Sequence, residues 1–90
     1  MPERRAVVAS SVGLHARPAA IFVKAAAEQP ASITIRKGVD GDPVDAASIL
    51  AVMALGVEHG DEVVLSAEGD GAETALEALG SLLETDLDAE

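Results

Sequence analysis

Ser32-Ile33-Thr34-Ile35-Arg36-Lys37 alternates strictly between apolar and polar side chains. Successive side chains on a strand point to opposite faces, so Ile33 and Ile35 share one face while Ser32, Thr34 and Arg36 share the other. Such a strand belongs to a sheet with one covered and one wet face, which favours antiparallel or mixed pairing over a parallel sheet buried on both sides. The stretch points to an α+β sandwich. Towards the N-terminus, Ala19, Phe22, Val23 and Ala26 repeat at i, i+3, i+4, i+7 and predict a helix from Ala16 to about Glu28, stopped by Pro30. Ahead of it, residues 4–9 (RRAVVA) form a β-prone run that ends at the turn Ser10-Ser11-Val12-Gly13. Towards the C-terminus, Gly38, Gly41 and Pro43 mark a hairpin-like loop into a very short strand around Val44.

A second helix is expected from Asp45 or Ala46 to Gly56, the glycine serving as a left-handed cap. Gly60 then turns the chain into a strand at 62–67 (EVVLSA). A last helix, from about Gly71 to Glu84, carries Ala72, Ala75, Leu76, Leu79, Leu82 and Leu83 on one stripe. Asp70 followed three residues later by Glu73 resembles a capping box. The acidic tail, about 85–90, is expected to fray. The element order is β-α-β-β-α-β-α, without internal repeat or low-complexity tract.

Ninety residues make one domain, 1–90. Apolar residues are 49% of the chain, but eighteen of them are alanine, so few large side chains are available to fill the core. The absence of cysteine removes disulfides, thiolate metal sites and thiol catalysis together. Phe22 alone among aromatics excludes a stacking platform for bases or sugars. No apolar run approaches the ~18 residues of a membrane span, and the start MPERR lacks a signal peptide's apolar stretch, so a cytoplasmic location is expected. Charge is unevenly placed: residues 1–37 hold all six Lys and Arg against Glu3 and Glu28, a net +4, while residues 38–90 hold fourteen acids and no Lys or Arg, a net −14. Most of the molecule repels a polyanion, which argues against nucleic acid as partner.

Chemistry concentrates in Gly13-Leu14-His15-Ala16-Arg17-Pro18, where loop meets helix. With His15 as N-cap, Ala16, Arg17 and Pro18 are the first three helical positions, whose N–H groups have no partner inside the helix. Pro18 lacks one of those donors and is tolerated in a first turn. The N–H groups of Ala16 and Arg17, with the positive end of the helix dipole, form an anion site beside the imidazole. The Arg17 guanidinium adds a permanent cation with a fork suited to phosphate oxygens. Histidine is not a favoured N-cap, and its placement here points to chemistry rather than capping. A neutral imidazole beside a phosphate cradle is what reversible phosphorylation of nitrogen requires. His59 and Asp61, two potential ligands on a turn without a third, read as a surface turn; neither a metal nor a cofactor is expected.

The stretch Gly13-Leu14-His15-Ala16-Arg17-Pro18-Ala19 resembles the active-site signature of the HPr family, the histidine-containing phosphocarriers of the bacterial phosphoenolpyruvate-dependent sugar phosphotransferase system. The resemblance extends through Phe22-Val23-Lys24-Ala25-Ala26, residues 48–56 (SILAVMALG), Gly60-Asp61-Glu62-Val63 and Ser66-Ala67-Glu68-Gly69, essentially the whole chain. It implies an open-faced β-sandwich of four antiparallel strands with three helices on one face. It also implies that His15 accepts a phosphoryl group from Enzyme I and passes it to a histidine of a sugar-specific Enzyme IIA, the carrier having no turnover of its own and acting as a monomer. Arg17 would stabilise the phosphoryl charge.

Two surfaces suit a carrier. Arg17, Ala20, Ile21 and Lys24 form a second stripe on the first helix, apart from the core stripe, and Ile21 would be exposed beside His15. The second helix is apolar nearly all round, so Ile49, Leu50, Val52, Met53 and Leu55 cannot all face one sheet, and an exposed patch marks a partner site. The resemblance places that patch beside His15, where Ala20, Ile21, Lys24, Ile49, Leu50 and Met53 would meet Enzyme I and Enzyme IIA. Ser48 matches a position that a regulatory kinase phosphorylates in some relatives; as a serine at a helix start it also reads simply as a cap. Val12 stands where many relatives carry a polar residue near the active centre. Two other readings stay open: a paralogue serving nitrogen-regulatory or dihydroxyacetone phosphorelay, and an interaction module that regulates without phosphoryl transfer.

Overall fold

A computed structural model describes residues 2–85 and contains, among them, β1 (Glu3–Val7), α1 (Ala16–Ala27), β2 (Ser32–Lys37), β3 (Val44–Asp45), α2 (Ile49–Ala54), β4 (Glu62–Glu68) and α3 (Ala72–Leu83). The strands form one sheet in the order β1-β4-β2-β3, every pairing antiparallel. β4 lies between two neighbours, and its interior Val63-Val64-Leu65-Ser66-Ala67 is buried throughout. Ile33 pairs with Ala67 and Ile35 with Leu65, as Ala6 pairs with Val63 on the other side, so these residues line the covered face. The three helices lie on that face. α1 buries Pro18, Ala19, Phe22 and Ala26, and α3 buries Ala72, Ala75, Leu76, Leu79, Gly80 and Leu83. The expected core stripes are thus present, with Val23 and Leu82 only partly covered. On the open face Arg5 and Arg36 flank Val64 in register, and Val64 is nonetheless buried, as expected where long stems lie over an apolar neighbour.

Arg4 shares the covered side with Ala6 and lies against Gly80 of α3, where a Cβ would collide with the guanidinium. It reaches Glu84 at 3.1 Å and Glu77 at 3.7 Å, one helical turn to either side. An inward-pointing charge on an edge strand also discourages pairing with another chain.

The structure departs from the expectation at β1, at both ends of α2, at the end of β4, which runs one residue past 67 to Glu68, and at the cap of α3. β1 runs 3–7 rather than 4–9, because Val8 and Ala9 bond to Asp61, Gly60 and Leu83 beyond the β1–β4 ladder. α2 begins at Ile49, not near Asp45: Asp45 pairs with Thr34 in β3, its carboxylate accepts the Ala47 N–H at 2.9 Å, and its carbonyl accepts the Ser48 N–H. That tight turn uses the residues assigned to a first helical turn. α2 ends before Gly56, which takes the expected left-handed conformation at φ 68°. The capping box at Asp70 is absent, since the N-cap is Gly71, left-handed at φ 73°, without a side-chain cap; Asp70 sits one residue too early. The expected fraying of the tail concerns residues that, after Thr85, lie outside the described ones.

Candidate functional site

His15 occupies the N-cap of α1 with extended backbone, φ −131° and ψ 160°, and its imidazole makes no capping hydrogen bond. The ring is half-buried rather than enclosed. The first bond of the helix is donated by the Ala19 N–H to the His15 carbonyl at 3.4 Å, so the N–H groups of Ala16 and Arg17 lie ahead of the hydrogen-bonded ladder, as expected. Ala16 departs from the expectation. Its φ is +51°, left-handed for a residue with a Cβ, so Ala16 is not a regular first helical position. The conformation costs about 1–2 kcal/mol for an L-residue.

Such strain persists where neighbouring structure over-determines it. Leu14, fully buried, donates its N–H to the Val57 carbonyl at 3.0 Å, and the Gly13 N–H bonds to Ser10 C=O at 3.0 Å. Gly13, at φ +72°, packs so closely on residues 57–58 that a Cβ there would strike the Val57 carbonyl oxygen and lie 2.6 Å from Glu58 Cα. The loop bearing His15 is therefore seated on the loop between α2 and β4. That second loop is tied in turn. Asp61 accepts the Glu58 N–H at 2.9 Å and pairs with Lys37 at 3.5 Å, while Lys37 donates to the Gly56 carbonyl at 3.1 Å. The Glu58 N–H above all, and the Lys37 charge with it, hold the Asp61 carboxyl below its ordinary range.

Arg17, Ala20 and Lys24 are exposed along α1, and Pro18 is buried beneath them. Ile21 on the same stripe is half-buried, less open than its spacing suggests, because its flank of the helix is partly covered. α2 packs against α1. Val52 is its one buried residue, leaving Leu50 79%, Met53 38% and Ile49 37% exposed. Val12, half-exposed, adds an apolar side chain to the loop before His15. Ser48 is the N-cap of α2, its hydroxyl accepting the Ala51 N–H at 3.3 Å. His59 is exposed on the turn at 58–61, and among the described residues no group of three potential ligands gathers around it. Pattern reading missed the positive φ of Ala16 and the Lys37–Asp61 tie, since neither follows from local periodicity.

Residues 2–85 match the family model described as the HPr component phosphorylation site of the phosphotransferase system. The phosphocarrier protein HPr of Streptomyces coelicolor is 53% identical over 83 residues, covering 92% of this chain and 88% of that protein. Among solved structures, HPr-C-His from Thermoanaerobacter tengcongensis superposes with a TM-score of 0.90 at 43% identity, covering 100% of this chain and 99% of that one. The HPr of Bacillus anthracis gives 0.85 at 41% identity, with 91% and 95% covered.

Proposed function

The chain belongs to the HPr family of phosphocarriers, and from that premise we propose that His15 takes a phosphoryl group from phosphorylated Enzyme I and delivers it to a histidine of a sugar-specific Enzyme IIA. The observation that carries the proposal is the placement of His15 at the start of α1. There the imidazole sits at the positive end of the helix, and Arg17 follows two residues later in the first turn. An unprotonated ring nitrogen attacks phosphorus as the donor's bond to phosphorus breaks, and the reverse displacement passes the group on. Charge on the equatorial oxygens is largest in effect when both bonds are long, which is where the Arg17 fork and the helix N–H groups act. Each transfer is stoichiometric, so the chain is a carrier without turnover of its own, needs no metal or cofactor, and acts as a monomer in the cytoplasm.

Docking falls to the α1 stripe of Arg17, Ala20, Ile21 and Lys24 together with Ile49, Leu50 and Met53 of α2. An apolar patch on one helix beside a cationic stripe on the next fits partners with an apolar centre and an acidic rim. Incubation with phosphoenolpyruvate and a bacterial Enzyme I, followed by a chase with an Enzyme IIA domain, tests the reading. The chain is expected to gain one acid-labile phosphoryl group and to lose it to the IIA domain. Uptake without release, or no uptake, contradicts it.

A further inference from the structure

Resting on the carrier reading above, we propose that Lys37 and Asp61 are positioning residues for His15, acting through the loop between α2 and β4 on which the His15 loop is seated. The connection is continuous. Lys37, the last residue of β2, holds both the Gly56 carbonyl at the end of α2 and the Asp61 carboxylate. Asp61 holds the Glu58 N–H. The segment so pinned, 56–61, carries left-handed glycines at Gly56 and Gly60 and has little conformational preference of its own. Its middle residues, Val57 and Glu58, are the ones against which Gly13 packs and to which the Leu14 N–H bonds. His15 follows at once, and the positive φ of Ala16 needs that fixed entry to persist.

The side chains of Lys37 and Asp61 are 45% and 35% exposed, and an ion pair so open to water adds little to global stability. Their effect is geometric: they choose one arrangement of a glycine-bearing loop. The depressed titration of Asp61 agrees, since the carboxylate stays charged and able to hold both partners at neutral pH. Lys37, on β2, and Asp61, just before β4, lie outside the docking residues named on α1 and α2, so the loss falls on the transfer step, where small misplacements of a reacting atom are costly.

The test compares Lys37→Met and Asp61→Ala with wild type and with Lys37→Arg, which keeps a charged donor. Amide hydrogen exchange is read at Leu14 and, as a control, at Leu65 in the β4 ladder; kinetics are read as phosphorylation of the carrier by Enzyme I. Leu14 is expected to exchange at least about threefold faster in both disrupting variants while Leu65 is unchanged, a local opening without global loss. kcat is expected to fall roughly three- to tenfold at unchanged KM, with Lys37→Arg restoring both readouts. Wild-type exchange at Leu14, equal acceleration at Leu14 and Leu65, or a raised KM at constant kcat overturns the proposal. Should the wild-type chain take no phosphoryl group at all, the carrier reading falls while the Leu14 exchange still decides whether Lys37 and Asp61 position the loop.

Discussion

Around His15 three residues act by three different physical means. Arg17 supplies charge and a fork of donors; Gly13 supplies an absence of side chain where the Val57 carbonyl passes; Ala16 accepts a backbone conformation that its Cβ disfavours. Arg17→Ala is expected to slow phosphoryl transfer in both directions, and Arg17→Lys to recover only part of the rate, having charge without the fork. Rapid-quench measurement of both half-reactions checks this, and equal rates in all three proteins would remove Arg17 from the mechanism. Gly13→Ala should lower stability by at least about 1–2 kcal/mol, from the left-handed backbone alone, with the collision against Val57 and Glu58 added to it. Denaturant unfolding measures that loss, and a variant as stable as wild type would mean that the two loops are not in contact in solution. The sequence marks this junction openly, because Gly13 closes a turn, Pro18 suits a first helical turn, and His15 between them is a disfavoured N-cap followed by the Arg17 cation. The seating of Gly13 on Val57 is invisible there, since it joins segments more than forty residues apart whose meeting depends on the whole sheet.

At the scale of elements, strands and long helices were legible and short ones were not. β2 and α1 announce themselves by period, because one face of each is covered and the other wet. α2 has six residues, too few for a period to fix its start, and the turn at Asp45–Ala47 competes for the same backbone donors. The exposed side of α2 could still be inferred, for a helix apolar all round in so small a protein must leave Ile49, Leu50 and Met53 partly open. Ser48 as N-cap sharpens one expectation. Aspartate caps as well as serine and suits the positive end of a helix, so Ser48→Asp should leave the melting temperature within a few degrees of wild type. The same charge beside the docking patch must be desolvated against Enzyme I, which should weaken binding by ten- to a hundredfold, on the order of 1.4–2.7 kcal/mol. A thermal melt reads the first effect and titration calorimetry with Enzyme I the second. Unchanged affinity would place α2 outside the interface.

Across the whole molecule the decisive quantity is the net charge of −10 on a body measuring 31 × 28 × 20 Å. At about 10 mM salt the Debye length is ~30 Å, so all the acids repel one another; at about 1 M it is ~3 Å and they scarcely interact. Added salt should therefore raise the melting temperature by a few degrees, the exposed ion pairs of Arg4, Arg36 and Lys37 being individually too weak to reverse the sign. A melting temperature that falls with salt would refute this. Acid acts the other way on two groups. Glu3 is held below its ordinary 4.5, chiefly by its hydrogen bond to Arg36, and Asp61 below its ordinary 3.8, chiefly by the Glu58 N–H. A carboxyl depressed in the folded state stabilises it above the unfolded value, and that contribution fades as pH falls through the folded one. Stability from these two groups is thus complete at neutral pH and lost progressively below about 4.5, and Glu3→Gln should flatten the acid side of the melting profile. The central claim concerns one histidine of two. Intact-mass measurement after incubation with phosphoenolpyruvate and Enzyme I, on wild type, His15→Ala and His59→Ala, tests it most directly. One acid-labile phosphoryl group on wild type and on His59→Ala, with none on a folded His15→Ala, is the predicted result; a phosphoryl group retained by His15→Ala would contradict it.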